Sequence, residues 1–310
     1  MSFNPEQVDT INQDSVDQSG PQFPIIQWSY GDQKMKKAGG IDYLGGFFIS
    51  HEYATDPDAL TAAGWEATTI THHSGEMTEG FWRKEMTFSL VASRRRWEVR
   101  QEGNRRHVYA WNQYDEANKH GRATSRAHIL TIIQGLEELG PHVITLAGTA
   151  AMYFEGTKST PGALTRFSAT ALRKANYLSD EAAKKRGKKN TNHWPYRAFW
   201  LTIAANADKD GNPIFTKVGS DDKSSFVVVP VAAGLPDPKK WEETDLNTLY
   251  VGDDLLHVTE ELWTTAEAEW THQWDSFDPE ANNLTPAEDE TEMATTSAED
   301  LDTFAEESGL

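Results

Sequence analysis

Five groups of cations punctuate the middle of this chain: Arg83-Lys84; Arg94-Arg95-Arg96 with Arg100; Arg105-Arg106; Arg173-Lys174; and Lys184-Lys185-Arg186 with Lys188-Lys189. From Trp82 to Arg197 there are 21 Lys and Arg against 10 Asp and Glu, a net of +11. Aromatics sit beside them at Trp82, Trp97, Tyr109, Trp111, Trp194, Tyr196, Phe199 and Trp200. That pairing suits single-stranded nucleic acid, whose phosphates are held by cations while its unstacked bases lie on aromatic faces, worth about 1–3 kcal/mol each. Duplex binding needs the charge but not the aromatics.

The phosphate candidates are Arg94, Arg95, Arg96, Arg100, Arg105 and Arg106, and the stacking candidates are Trp82, Trp97, Tyr109 and Trp111. Strand side chains alternate between two faces, so about half of these residues belong to a core. The run Lys184, Lys185, Arg186, Lys188, Lys189 reads in two ways. It is a helix end entering a flexible loop that clamps a phosphate backbone, or a set of solvated cations favoured by the negative end of the helix dipole.

Catalytic chemistry finds no comparable support. His72-His73, with His51 and Glu52 upstream, is the best metal-like cluster, but adjacent histidines project apart and no H-x-x-x-H or H-E-x-x-H spacing occurs. Asp208-Lys209-Asp210-Gly211-Asn212 resembles the start of a calcium loop, but its glycine comes too early and Gly219 occupies the twelfth position, so it reads as a hairpin turn. Asp221, Asp222 and Lys223 are scattered carboxylates and a lysine without a nuclease pattern. There is no P-loop, G-x-S-x-G or dinucleotide fingerprint. The expectation is a non-enzyme without metal or cofactor.

The elements that must position these groups begin after residues 1–22, a polar arm expected to be disordered. A strand is expected over Phe23 to Tyr30, and the glycine pairs Gly39-Gly40 and Gly45-Gly46 suggest corners of a curved sheet. Trp65 to Thr71 and Met86 to Val91 alternate as half-buried strands, and Trp97 to Arg100 pairs with His107 to Trp111 around residues 101–104. Ile129, Ile132, Ile133, Leu136 and Leu139 have helical spacing, which predicts a helix over 125–139 stopped by Gly140-Pro141. A strand at Val143 to Leu146, a helix over about 161–186, and strands at 194–204, 214–218 and 226–231 follow. The fold class is α+β: a curved, mostly antiparallel sheet or OB-like barrel over 23–240, with inserted or packed helices.

Charge divides the chain sharply. Trp241 to Leu310 holds 21 of the 48 Asp and Glu and no Lys or Arg, which leaves 27 acidic and 29 basic residues before it. The net charge of −19 is therefore a property of one end. Within 241–274, Trp263, Trp270 and Trp274 are spaced 7 and 4 apart, one face of a helix that docks on the body. Residues 275–310 are too polar to fold alone and form a disordered acidic tail, with Leu301 and Phe304 as its apolar points. Such a tail competes for a cationic groove, recruits partner proteins through Phe304, or simply keeps the protein in solution.

This layout resembles single-stranded DNA-binding proteins of bacteria and phages. The matching residues are Arg94-Arg95-Arg96-Trp97, Arg105-Arg106-His107-Val108-Tyr109-Ala110-Trp111, and Asp300-Leu301-Asp302-Thr303-Phe304-Ala305-Glu306-Glu307. The resemblance implies an OB-fold, binding of single-stranded DNA or RNA in replication, recombination or repair, and a tail that recruits replication or recombination proteins. Two departures stand against it: the tail ends Ser308-Gly309-Leu310 where family tails often end in Phe, and the body exceeds one small barrel. The alternatives are an interaction or virion-assembly protein whose tail binds a basic partner, and a strand-annealing recombination mediator that forms a multimeric ring. Homo-oligomers are compatible with each.

With no cysteine, disulfides, thiolate zinc sites and cysteine nucleophiles are excluded. Residues 1–22 have neither a basic n-region nor an apolar h-region, and no run approaches the length of a membrane span, so a soluble cytoplasmic protein is expected.

Overall fold

The computed structural model describes residues 23–30, 45–71, 77–100, 106–157, 160–218, 225–235 and 243–275. The arm 1–22, Gly39-Gly40, His72-His73, Arg105, Asp221 to Lys223 and the acidic tail with Leu301 and Phe304 lie outside these residues.

In chain order, β1 (Ile25–Ser29) and β2 (Gly46–Ser50) precede α1 (Pro57–Ala62), β3 (Glu66–Thr71) and β4 (Met77–Arg83). The long β5 (Glu85–Arg100) and β6 (Arg106–Ala110) are followed by α2 (Tyr114–Lys119), β7 (Ala123–Ile133), β8 (His142–Ala147) and α3 (Gly148–Glu155). Then come α4 (Ala163–Phe167), a π-helical turn (Ser168–Leu172) and α5 (Arg173–Lys185) as one continuous helix. The strands β9 (Trp200–Ala205), β10 (Phe215–Val218), β11 (Ser225–Val228) and β12 (Pro230–Ala233) lead to α6 (Glu243–Leu249) and α7 (Asp253–Asp275).

The result is a mixed α+β fold around a strongly curled half-barrel sheet. Its strand order is β12-β9-β5-β7-β8-β1-β2-β4-β3, with β6 beside the outer half of β5 and β10-β11 as a separate pair. Every pairing is antiparallel except β1 with β8. Ten strands in the main sheet are twice the about five of an OB barrel.

β5 is the spine, pairing with β9 over Glu85–Ser89, with β6 over Arg96–Arg100 and with β7 along most of its length. Met86, Phe88 and Leu90 alternate into the main core, which also buries Phe154 of α3 and Phe167 of α4. A bulge between Leu90 and Ala92 inserts Val91, and both Val91 and Ala92 then join a second, smaller core on the opposite face. The extra residue inverts the phase of everything beyond it. Past the bulge the odd positions Arg95, Trp97 and Val99 face the main-core side, and the even positions Arg94, Arg96 and Glu98 face the other.

The helix expected over 125–139 is not one. Residues 123–133 form the central strand β7, and only Glu137–Leu139 winds, as a 3-10 turn. Because β7 is covered on both faces, it alternates apolar with apolar: Ile129 and Ile133 enter the main core, Leu130 and Ile132 the second. A doubly buried strand carries no period of two, and its β-branched residues then fall at helical spacing by chance.

Helix α7 covers the second face. Leu255, Leu262, Trp263 and Ala266 pack with Val91, Leu130, Ile132 and Val143. Arg197 anchors it, donating to Glu260 from Nε at 2.9 Å and Nη2 at 2.8 Å, with its guanidinium 4.5 Å from the centroid of the Trp263 ring. The side chains of Trp270 and Trp274 lie outside the described residues. Among the described residues no helix is long and apolar enough to cross a membrane.

Candidate nucleic-acid interface

The β5–β6 hairpin pairs Arg96–Arg100 with Arg106–Ala110 and sets Trp97 opposite Tyr109. Beneath it, α2 supplies Ala117 and Tyr114 to a small core of Trp97, Val99, Tyr109 and Ala123. Trp97 is only 4 % exposed, whereas Trp111, just past β6, is 40 % exposed. The two indoles stack with centroids 4.4 Å apart and planes 8° from parallel. Trp97 Nε1 donates to the Trp111 carbonyl at 2.9 Å, which fixes the outer ring on the inner one. A buried indole thus acts as the platform for a solvent-facing one.

Arg95 projects on the same face, two residues before Trp97, with its guanidinium carbon 5.2 Å from the Trp111 centroid. It pairs with Glu155 at the end of α3. That helix is pinned at its start by Tyr30, whose hydroxyl donates to the Ala147 carbonyl and accepts from the Ala150 amide at 3.1 Å. Between these groups lies a small cleft lined by Arg95, Trp111, Ser125, Gly148, Met152 and Thr157. Partial burial lowers the Arg95 pKa from its ordinary value, yet a guanidinium so basic stays charged at physiological pH.

The opposite face carries a second polar set. Arg96 donates from Nε to Nε2 of His128 at 2.9 Å, so the imidazole proton resides on Nδ1, 3.5 Å from the Thr145 hydroxyl. Burial, and then the Arg96 and Arg126 charges, hold the His128 pKa well below the ordinary histidine value. Arg126 Nη2 donates to Glu98 Oε1 at 3.3 Å, and its Nε lies 3.3 Å from Oε2, at an angle poor for a hydrogen bond. The chain is close to a charge ladder across β5, β7 and β8: Arg94 beside His128 beside Thr145, and Arg96 beside Arg126.

The candidates therefore separate. Arg95, Trp97 and Trp111 converge; Arg94 and Arg96 point away from them, across the sheet. Tyr109 is 7 % exposed and belongs to the hairpin's core, so it and Trp97 have no face to offer a base. Trp82 sits at the end of β4, 15 residues before Trp97 and near the start of β5, whose 12 residue steps from Glu85 to Trp97 span about 40 Å of extended strand. The side chains of Arg100 and Arg106 lie outside the described residues, though their backbones pair across the hairpin.

Lys184, Lys185, Arg186, Lys188 and Lys189 are all exposed at the end of α5. The helix stops in a Schellman motif: Gly187 has φ +67°, its amide donates to the Lys184 carbonyl at 2.9 Å, and the Lys188 amide donates to Ala183 at 2.9 Å. The backbone of the run is thus an ordered helix cap, and its cations stand exposed around it. Lys184 pairs with Glu181 at 3.2 Å; Lys185, Lys188 and Lys189 make no ion pair with a described residue.

Sequence reasoning missed Glu155, Arg126 and His128. The last two were hidden inside the supposed helix, and nothing within the chain near Glu155 signals a partner 60 residues away. Among the described residues no three His, Asp or Glu side chains gather as a metal site. His51 lies 3.9 Å from Glu79, both well exposed. In comparisons with protein-family models, with curated proteins and with solved structures, no match to this chain is found.

Proposed function

We propose that this protein binds single-stranded nucleic acid with little sequence preference, at the end of the sheet formed by β5, β6 and β7. The observation that supports this reading best is Trp111, an exposed indole seated on a buried one beside a guanidinium. A base stacks on the free part of the ring while the cations around it take the phosphates. Residues 94–126 carry nine Arg and Lys against four Asp and Glu, which favours a polyanion there. The capped lysines at the end of α5 add a second cluster of exposed cations.

In this reading the curled sheet serves as an OB-like barrel does, offering a curved surface along which a strand runs. The protein works in the cytoplasm, in replication, recombination or repair, and carries out no chemistry itself. Its acidic tail, with Leu301 and Phe304, competes for the cations or recruits partner proteins.

A second reading is favoured by the burial of Trp97 and Tyr109. If the aromatics chiefly pack, the protein is a non-enzymatic interaction or virion-assembly protein whose tail binds a basic partner. Titrating labelled single-stranded and duplex oligonucleotides across a salt series separates the two. The first reading requires preference for the single strand and affinity that falls as salt rises; a competing tail adds tighter binding once the chain is cut after residue 274, and equal affinity there would remove the competitor role. Absence of binding at low salt by both the full chain and the truncated one would leave the second.

A further inference from the structure

Glu155 occupies an unfavourable place for a carboxylate. It ends α3, where the negative pole of the helix dipole repels it, and it is 15 % exposed. What holds its charge there is Arg95, itself partly buried and 36 % exposed. Each ion answers the other's desolvation, but the carboxylate gains nothing from its own helix. A phosphate in its place meets the same guanidinium without the strain of a fixed position at a helix end. Around the pair are an exposed indole, Trp111, and the Ser125 and Thr157 side chains that line the cleft.

Resting on the reading just given, we propose that this cleft is a subsite for one nucleotide unit and that Glu155 is its specificity-determining residue, a built-in counterion that phosphate must displace. The base stacks on Trp111, and the adjoining phosphate takes the Arg95 guanidinium as Glu155 turns out to solvent. A ligand that supplies only charge competes with a tethered carboxylate and loses. One that both stacks and supplies phosphate gains enough to exchange it. Glu155 thus filters free inorganic phosphates from strands, using an effective concentration that no dissolved anion reaches.

Two probes test this on the full chain: a labelled oligothymidylate, and inorganic tripolyphosphate followed by titration calorimetry. Glu155→Gln keeps the shape of the side chain and removes its charge. It should bind tripolyphosphate about tenfold or more tightly than the natural protein, and the oligonucleotide about three- to tenfold more tightly, as expected for freeing one charged hydrogen-bonding site. Both gains should vanish in the double variant Arg95→Gln with Glu155→Gln. Glu155→Asp, which retracts the charge by one methylene, should shift affinity the same way by less, and it serves if the glutamine variant folds poorly. Unchanged affinity for both probes in both variants overturns the proposal. A gain for tripolyphosphate alone, with no oligonucleotide bound by any variant, keeps the displaceable counterion and removes nucleic-acid binding.

Discussion

Arg96 and His128 meet diagonally across β5 and β7 with Nε donating to Nε2 at 2.9 Å, a contact that exists only while the imidazole is neutral. His128 is 7 % exposed, and burial with two nearby arginines depresses its pKa. The unfolded chain takes up a proton near the ordinary value of about 6.5, while the folded one does not. The unfolded state therefore binds more protons below that pH, and stability falls as pH falls.

The expected outcome is an unfolding free energy that is flat above about pH 7 and declines below it, at up to about 1.4 kcal/mol per pH unit from His128. His142, whose pKa burial also lowers, adds in the same direction. His128→Asn should flatten the profile. Urea titrations of both proteins between neutral and mildly acid pH read it, and identical slopes would remove the role given to His128.

The two stacked tryptophans should behave oppositely as structural residues. Trp97→Ala removes a buried ring against Trp111 and Tyr114 and should cost about 3–5 kcal/mol. Trp111→Ala removes an exposed ring and should cost only about 1 kcal/mol, the value of the stack. Equal losses in denaturant titrations would mean that Trp111 is a core residue and not a surface platform.

The capped lysines carry a prediction in salt dependence. The Schellman motif uses only backbone groups of Gly187 and Lys188, so Lys188→Gln with Lys189→Gln leaves the cap intact. If both contact phosphate, the slope of log affinity against log salt should become shallower by about 1.4, at about 0.7 for each contact on a single strand. An unchanged slope would make them solvated cations.

How much of this could be read from the chain depended on whether an element keeps one face wet. The pairing of 97–100 with 107–111, the α5 helix and the Asp208 turn were legible because each follows a local rule. Asp208 Oδ1 accepts from the amides of Asp210 and Asn212 at 2.9 Å, an Asx turn that its sequence announces. The strand β7 was not legible, because burial on both faces erases alternation. The site was partly legible. That Arg94–Arg95–Arg96 and Trp97 divide between faces follows from alternation, but which side each takes is set by Val91 in the bulge. No pattern of alternating residues betrays one inserted position.

The central claim rests on Trp111 and is tested most directly by comparing the natural protein with Trp111→Ala for binding to a labelled single strand and to a duplex of the same sequence. The account predicts that the natural protein prefers the single strand, and that the variant, still folded, loses about 1–3 kcal/mol of single-strand affinity while weak duplex binding stays as it was. Equal single-strand affinity of the two folded proteins would contradict it.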